Sequence, residues 1–261
     1  MSDVHHIDRS SVLRLARKAL EHGAKRPGSI RLEWDVAGDC QDPKVREYTG
    51  RASPPRPRLD HVSDRLQGRK YVSFGTDPST ILVDVTVRCR RCDNCLRDRA
   101  RVWMARAVQE WRLAPRTWMG TITLAPAHHA RAAALAARKA AAQGLDLDAL
   151  SYKDQFIYRH NVISSWLTKY LKRVRKASGA PFKYLLVAEA HKSGMPHYHI
   201  LVHEQDANLP VKWETLSGQW PFGFVKFNLI KEKRQATYAC KYLMKTNAAR
   251  VRASLGYGQS V

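Results

Sequence analysis

Acidic residues are scarce in this chain of 261 residues: 23 Asp and Glu stand against 45 Lys and Arg, giving a formal net charge of +22 and a pI ≈ 10.2. Self-repulsion on that scale argues against a generally soluble basic protein without a partner and favours a polyanion, nucleic acid first. Long apolar runs are absent: none approaches the ~20 residues that a bilayer-spanning helix needs. The opening Met1-Ser2-Asp3-Val4-His5-His6 lacks the basic-then-apolar order of a secretory signal, so no membrane association is expected. Five cysteines, an odd number with three crowded at Cys89, Cys92 and Cys95, do not make a disulfide framework. The expected compartment is therefore a reducing cytoplasm. Hydrophobic residues are not lacking, and at 44% they suffice for one large domain or two small ones.

The most informative stretch is Pro196-His197-Tyr198-His199-Ile200-Leu201-Val202. Read as a strand, it puts His197, His199 and Leu201 on one face and Tyr198, Ile200 and Val202 on the other, toward an apolar layer. Two neutral imidazoles on one face can converge on a divalent ion; alone, the pair equally suits a solvated strand edge. The preceding Phe182-Lys-Tyr-Leu-Leu-Val-Ala-Glu189-Ala also reads as a strand, and the short connection containing Gly194 predicts a hairpin. That pairing brings Glu189 beside the two histidines and completes a three-ligand set.

Elsewhere, residues 10 to 22 read as a helix with a Val12, Leu13, Ala16, Ala19, Leu20 stripe. Residues 24 to 70 read as loop, including the Pro/Arg run from Arg51, which is either a linker or a basic arm on phosphates. A strand over 81–87 leads into Cys89-x-x-Cys92-x-x-Cys95, whose thiols could ligate zinc or an iron–sulfur cluster if Cys40 or a histidine supplied a fourth ligand. A basic helix follows from Leu96, with Arg97, Arg101 and Arg106 exposed. The chain then gives a strand over 117–124, an Ala-rich helix over 127–142 with His128 and His129 on the surface, and a helix capped by Ser151 and Asp154. On that last helix, Phe156, His160, Ile163, Leu167, Tyr170 and Val174 form a core stripe. Lys169, Lys172, Arg173 and Lys176 form a separate basic stripe, either a solvated face or a contact to DNA phosphates. A strand over 224–230 precedes a helix over about 234–246, where Tyr238 and Tyr242, like Lys241 and Lys245, are four residues apart on one face.

In this order the elements resemble the HUH-superfamily replication initiators, and among them the two-tyrosine Rep endonucleases of small single-stranded DNA bacteriophages and related rolling-circle elements. Thr121-Ile-Thr-Leu124 is similar to the first-motif strand, Pro196-His197-Tyr198-His199 to the metal motif, and Tyr238-Ala-Cys-Lys241-Tyr242-Leu-Met-Lys245 to the catalytic helix. The likeness runs from about Cys89 to Lys245. It implies an α+β fold, an antiparallel sheet with helices packed on it in an RRM-like arrangement, preceded by a basic, partly irregular N-terminal extension. The corresponding organisation is an extension over 1–80 with one helix, a Cys-containing strand–helix segment over 81–115, an endonuclease core over 116–247, and a basic tail over 248–261.

The resemblance implies a chemistry too. A divalent Mg2+ or Mn2+ held by His197, His199 and Glu189 would activate a phosphodiester in single-stranded DNA. Tyr238 or Tyr242, assisted by Lys241 and Lys245, would attack it to leave a 5′-phosphotyrosine and a 3′-hydroxyl primer. The implied partners are a replication origin, with host helicase and polymerase as further candidates, in the bacterial cytoplasm if the chain is phage-encoded. Two other readings stay open: a relaxase or transposase of the same superfamily, and a non-catalytic single-strand binder. A zinc-dependent regulator built on the cysteine cluster is a third.

Overall fold

The computed structural model describes residues 9–20, 30–51, 80–190, 195–244 and 248–259. Contacts divide the chain into two compact units, Met1–Asn94 and Cys95–Val261.

The first unit is a helix on a small sheet. Helix α1 (Arg9–Leu20) matches the amphipathic stripe, and Val12 and Ala16 are buried against Ile81, Val83 and Val85. The sheet contains β1 (Ile30–Asp35), β2 (Lys44–Arg51) and β3 (Thr80–Val87). β3 lies in the middle, parallel to β1 and antiparallel to β2. Two of these strands correct the loop expected over residues 24 to 70. In β1 the core side is carried by Leu32 and Trp34 alternating with Arg31, Glu33 and Asp35. That is a period-2 pattern, but it spans only six residues and half of them are charged. β2 is charged at four of its eight positions and takes its strand character from pairing with β3. The Pro/Arg run after Arg51 lies outside the described residues.

The second unit carries nearly all of α2 (Asp93–Leu113) and a five-stranded antiparallel sheet. Its strands are β4 (Thr117–Ile122), β5 (Phe182–Ala190), β6 (Pro196–Glu204), β7 (Val225–Leu229) and β8 (Arg250–Ala253), in the order β7-β4-β6-β5-β8. The fold class is therefore α+β, an antiparallel sheet with helices on it. β8 replaces the tail expected over 248–261: Arg250 to Ala253 pair with β5, and Ala248 and Ala249 are buried before it.

Alternation divides the sheet into two faces. Tyr198, Ile200 and Val202 of β6 join Trp118 and Ile122 of β4 and Tyr184 and Leu186 of β5 in a core covered by α3 (Pro126–Ala141) and α4 (Tyr152–Ser178). Ser151 caps α4 by accepting the Asp154 amide, and Gly179 ends it in a left-handed conformation at φ 64. The expected stripe holds: Phe156, Ile163, Leu167, Tyr170 and Val174 are all buried. His128 departs from its expected surface position. It packs edge-on to Phe222 and Trp166, with ring centroids 5.4 and 6.5 Å away. Gly120 is a close approach, since a Cβ there would stand 2.3 Å from the Phe227 ring.

Leu185, Val187 and Leu201 face the opposite way. They pack against Ala100 and Ala107 of α2 and against Ala239, Cys240, Tyr242 and Leu243. The short α5 (Trp213–Gly218) lies between β6 and β7 in the chain. The C-terminal helix is not continuous: α6 (Lys233–Tyr238) gives way to a 3-10 helix over Ala239–Met244. Among the described residues no helix is long and apolar enough to cross a membrane.

A candidate active site of paired histidines and tyrosines

β6 sits between β4 and β5, so its histidines stand in mid-sheet. The hairpin forms in the expected register, with Glu189 directly across from His197 and Val187 across from His199. Directly opposed residues share a face, which puts the Glu189 carboxylate on the histidine side. Its Oε2 lies 3.4 Å from His199 Nε2, and the two imidazole centroids are 4.9 Å apart. Two ligand bonds of ~2.1 Å meeting at a metal subtend an N···O edge of about 3.0–3.4 Å. The separation thus fits a coordination shell better than a good hydrogen bond. Two imidazoles and a carboxylate are also a donor set that first-row divalent ions accept.

The tyrosines arrive from the C-terminal helix. Tyr242 lies flat on His199, its ring centroid 4.0 Å away and the planes 3° apart. Tyr238 stands edge-on to both rings, 6.4 Å from His199 and 5.7 Å from Tyr242. The Tyr242 hydroxyl donates to the Tyr238 hydroxyl at 3.1 Å. The switch to 3-10 geometry after Tyr238 widens the angle between side chains four residues apart, since each residue now turns the chain further. One ring consequently points in and the other out: Tyr242 is 8% exposed and Tyr238 41%. Burial, the hydrogen bond to Tyr238 and the nearby Glu189 charge raise the Tyr242 pKa above the ordinary tyrosine value. The Lys241 ammonium sits 3.5 Å from the Tyr238 ring centroid and 5.1 Å from that of Tyr242.

The structure thus brings His197, His199, Glu189, Tyr238, Lys241 and Tyr242 together; Lys245 lies outside the described residues. It does not bring the α4 basic stripe to the same place. Lys169, Lys172 and Lys176 are exposed on a helix that covers the opposite face of the sheet. Arg173 is half-buried, and its guanidinium donates twice to the Gln219 carbonyl, at 2.8 and 3.3 Å. On the histidine face, Thr121 lies across from His199, and the exposed Lys226 across from Thr121. Period-2 alternation of β4 and β7 carries the signal for both, once the strand order is known.

Two buried polar systems support β6 and escaped sequence reasoning. Glu204 is fully buried and accepts from Arg116 Nε (2.9 Å), Trp118 Nε1 (3.0 Å) and the Val211 amide (3.1 Å). His203 bridges Thr117 Oγ1 at 2.9 Å and the Tyr257 hydroxyl at 2.7 Å. Burial, with Lys183 nearby, lowers its pKa to about 3. Beneath the site, His160 contacts the Tyr198 hydroxyl at 3.2 Å. Burial, reinforced by Arg250 and Arg252, lowers its pKa to about 4, so it is a packed histidine, as its place on the core stripe suggests.

A second group of metal-ligand type is present. Cys40, Cys89, Cys92 and Cys95 could hold a metal ion, with their sulfurs all within 4.8 Å of one another.

Residues 149–247 match the family model of the replication-associated protein ORF2. The match covers the Ser151-capped helix, the histidine hairpin and the tyrosine pair, well under half of the 261 residues. No curated protein and no solved structure matches. The portion of the chain that builds the histidine–tyrosine cluster is therefore similar to replication-associated proteins, which points to DNA replication.

Proposed function

We propose that the chain is a replication initiator that nicks and rejoins single-stranded DNA through a tyrosine nucleophile. The observation that carries this reading is the packing of both tyrosine hydroxyls, bonded to each other, against a His-His-Glu cluster on the central strand. Aromatic packing alone does not need two imidazoles, a carboxylate and a lysine around one hydroxyl pair.

A divalent ion, when held by His197, His199 and Glu189, supplies Lewis acidity to a bound phosphodiester. The rest of the chemistry belongs to the side chains. The Tyr238 hydroxyl is the first nucleophile: it is open to solvent, accepts a hydrogen bond from Tyr242 and lies under the Lys241 ammonium, which compensates phenolate charge. As the Tyr238 oxygen bonds to phosphorus its proton is lost to solvent. The bond from phosphorus to the 3′ oxygen breaks, and that oxygen leaves as a 3′-hydroxyl after taking up a proton. The strand downstream stays on the protein as a 5′-phosphotyrosine, so bond energy is conserved for rejoining. Tyr242, protonated and shielded, is held for the second transfer. A rolling-circle cycle needs such alternation, because one tyrosine must hold the 5′ end while the other cuts the regenerated origin.

The test is a covalent adduct. The full chain is incubated with Mn2+ and a randomised pool of single-stranded DNA labelled at the 3′ end, and resolved on a denaturing gel. Labelled protein is expected, and it is lost in the Tyr238→Phe/Tyr242→Phe double variant. A wild-type chain that binds the pool but yields no labelled protein refutes the reading and leaves a single-strand binder.

A further inference from the structure

The turn after β3 is built around sulfur. Cys89 Sγ accepts the amides of Arg91 at 3.4 Å and Cys92 at 3.3 Å, and Cys40 Sγ accepts the Cys89 amide at 3.2 Å. Amides aimed at a sulfur favour its thiolate form. Arg90 inside this turn adopts a left-handed φ of 62, alone among the described non-glycine residues. The strain is explained if the turn must present Cys89 and Cys92 to one point.

The fourth partner comes from far back in the sequence. Cys40 closes a turn in which its amide donates to the Ala37 carbonyl at 3.2 Å, with Gly38 at φ 56. Arg88 donates to Asp39 Oδ1 at 2.6 Å and Asn94 Nδ2 to the Asp39 carbonyl at 2.7 Å. These bonds hold the Cys40 turn against the cysteine turn within the first unit. Cys95 follows Cys92 in the first turn of α2, so it reaches the group through the covalent chain.

We propose that Cys40, Cys89, Cys92 and Cys95 form a structural site for a single tetrahedral ion of the zinc class. Zinc–sulfur bonds near 2.3 Å set sulfur–sulfur edges of about 3.8 Å, and Cys40 Sγ lies 3.9 Å from Cys92 Sγ. A disulfide is excluded by that separation. An iron–sulfur cluster, with several metals and sulfides between its thiolates, holds them wider apart than a set confined within 4.8 Å. The ion joins the β1–β2 connection to the end of β3 and so fixes both ends of a sheet with few buried residues, the role in which structural zinc is common. The site is independent of the proposed nicking chemistry.

The full chain, purified under reducing conditions without chelator, is expected to carry one zinc per chain. Replacing the zinc by cobalt is expected to give the intense thiolate-to-metal charge-transfer absorption and visible bands of a tetrahedral centre. The signal is expected to persist in the His197→Ala/His199→Ala double variant, which assigns it to sulfur. Cys40→Ser is expected to weaken cobalt binding at least about a hundredfold, more than loss of an outer-shell group does. Cys40→His, which keeps a ligand, is expected to retain a tetrahedral spectrum with weaker charge transfer; it serves if the Ser variant does not fold. A wild-type chain with no thiolate–cobalt signal, or a Cys40→Ser chain with the wild-type spectrum and affinity, overturns the proposal.

Discussion

Replacing one tyrosine at a time separates the two hydroxyls. In Tyr242→Phe the phenyl ring can keep its 4.0 Å stack on His199; what disappears is one hydroxyl–hydroxyl bond to Tyr238. A neutral hydrogen bond contributes about 0.5–1.5 kcal/mol, so first cleavage by Tyr238 should slow by about two- to tenfold. Tyr238→Phe removes the solvent-facing nucleophile itself. The adduct formed in a single turnover should then fall by orders of magnitude, with Tyr242 leaving only a slow residue. The assay is quantitation of 3′-labelled protein against time at saturating Mn2+. Binding of the same strand by fluorescence anisotropy serves as a control, since neither change should shift it much. If Tyr242→Phe abolishes the adduct while Tyr238→Phe keeps it, the assignment of Tyr238 as first nucleophile is wrong. Equal, small losses would mean that either hydroxyl can react from its place.

Three further outcomes are expected. The residual reaction of Tyr238→Phe, which depends on Tyr242, should rise with pH past about 10 without a plateau, because Tyr242 holds its proton beyond the ordinary tyrosine range; a plateau near neutrality would contradict this. His160 and His203 are held neutral, with pKa values lowered to about 4 and about 3. The unfolded chain therefore binds protons first as pH falls below about 6.5, and stability should drop through the window down to about pH 4 by about 3 kcal/mol for His160 alone; urea midpoints measured across that range, flatter in His160→Gln, check it. Gly120→Ala should cost about 1–3 kcal/mol by overpacking, because the new methyl meets the Phe227 ring at 2.3 Å. Adding Phe227→Leu should restore part of the loss in thermal unfolding.

Legibility in the sequence follows the strength of periodicity. The Phe182–Ala190 and Pro196–Glu204 strands alternate cleanly around a short connection, and the pairing of Glu189 with His197 comes from that pattern alone. The Phe156-to-Val174 stripe is equally clear, since about five helical turns repeat one signal. β1 and β2 are hidden because charged residues interrupt short strands, and their partner β3 lies beyond a long Pro- and Arg-rich stretch. In the sequence Cys40 is one candidate among several, because nothing local marks a thiol 49 residues from its partner. The change to 3-10 geometry after Tyr238 is invisible for a different reason. Tyrosine spacing is the same in both helices, and tertiary packing of Ala239, Cys240 and Leu243 decides the pitch. The α4 lysines are the opposite case: charge alone offers them to DNA phosphates, whereas topology sets them on the far side of the sheet from the histidines.

The central position of β6 has a consequence for how this chain can vary. Slipping one residue along either neighbour would invert the strand, sending both imidazoles into the apolar layer and Tyr198 and Ile200 out toward the phenols. A single inserted or deleted amino acid between Pro196 and Glu204 would therefore cost folding and chemistry in one stroke, with no intermediate that keeps either. Drift in this segment is confined to exchange of one side chain for another, and indels must fall elsewhere.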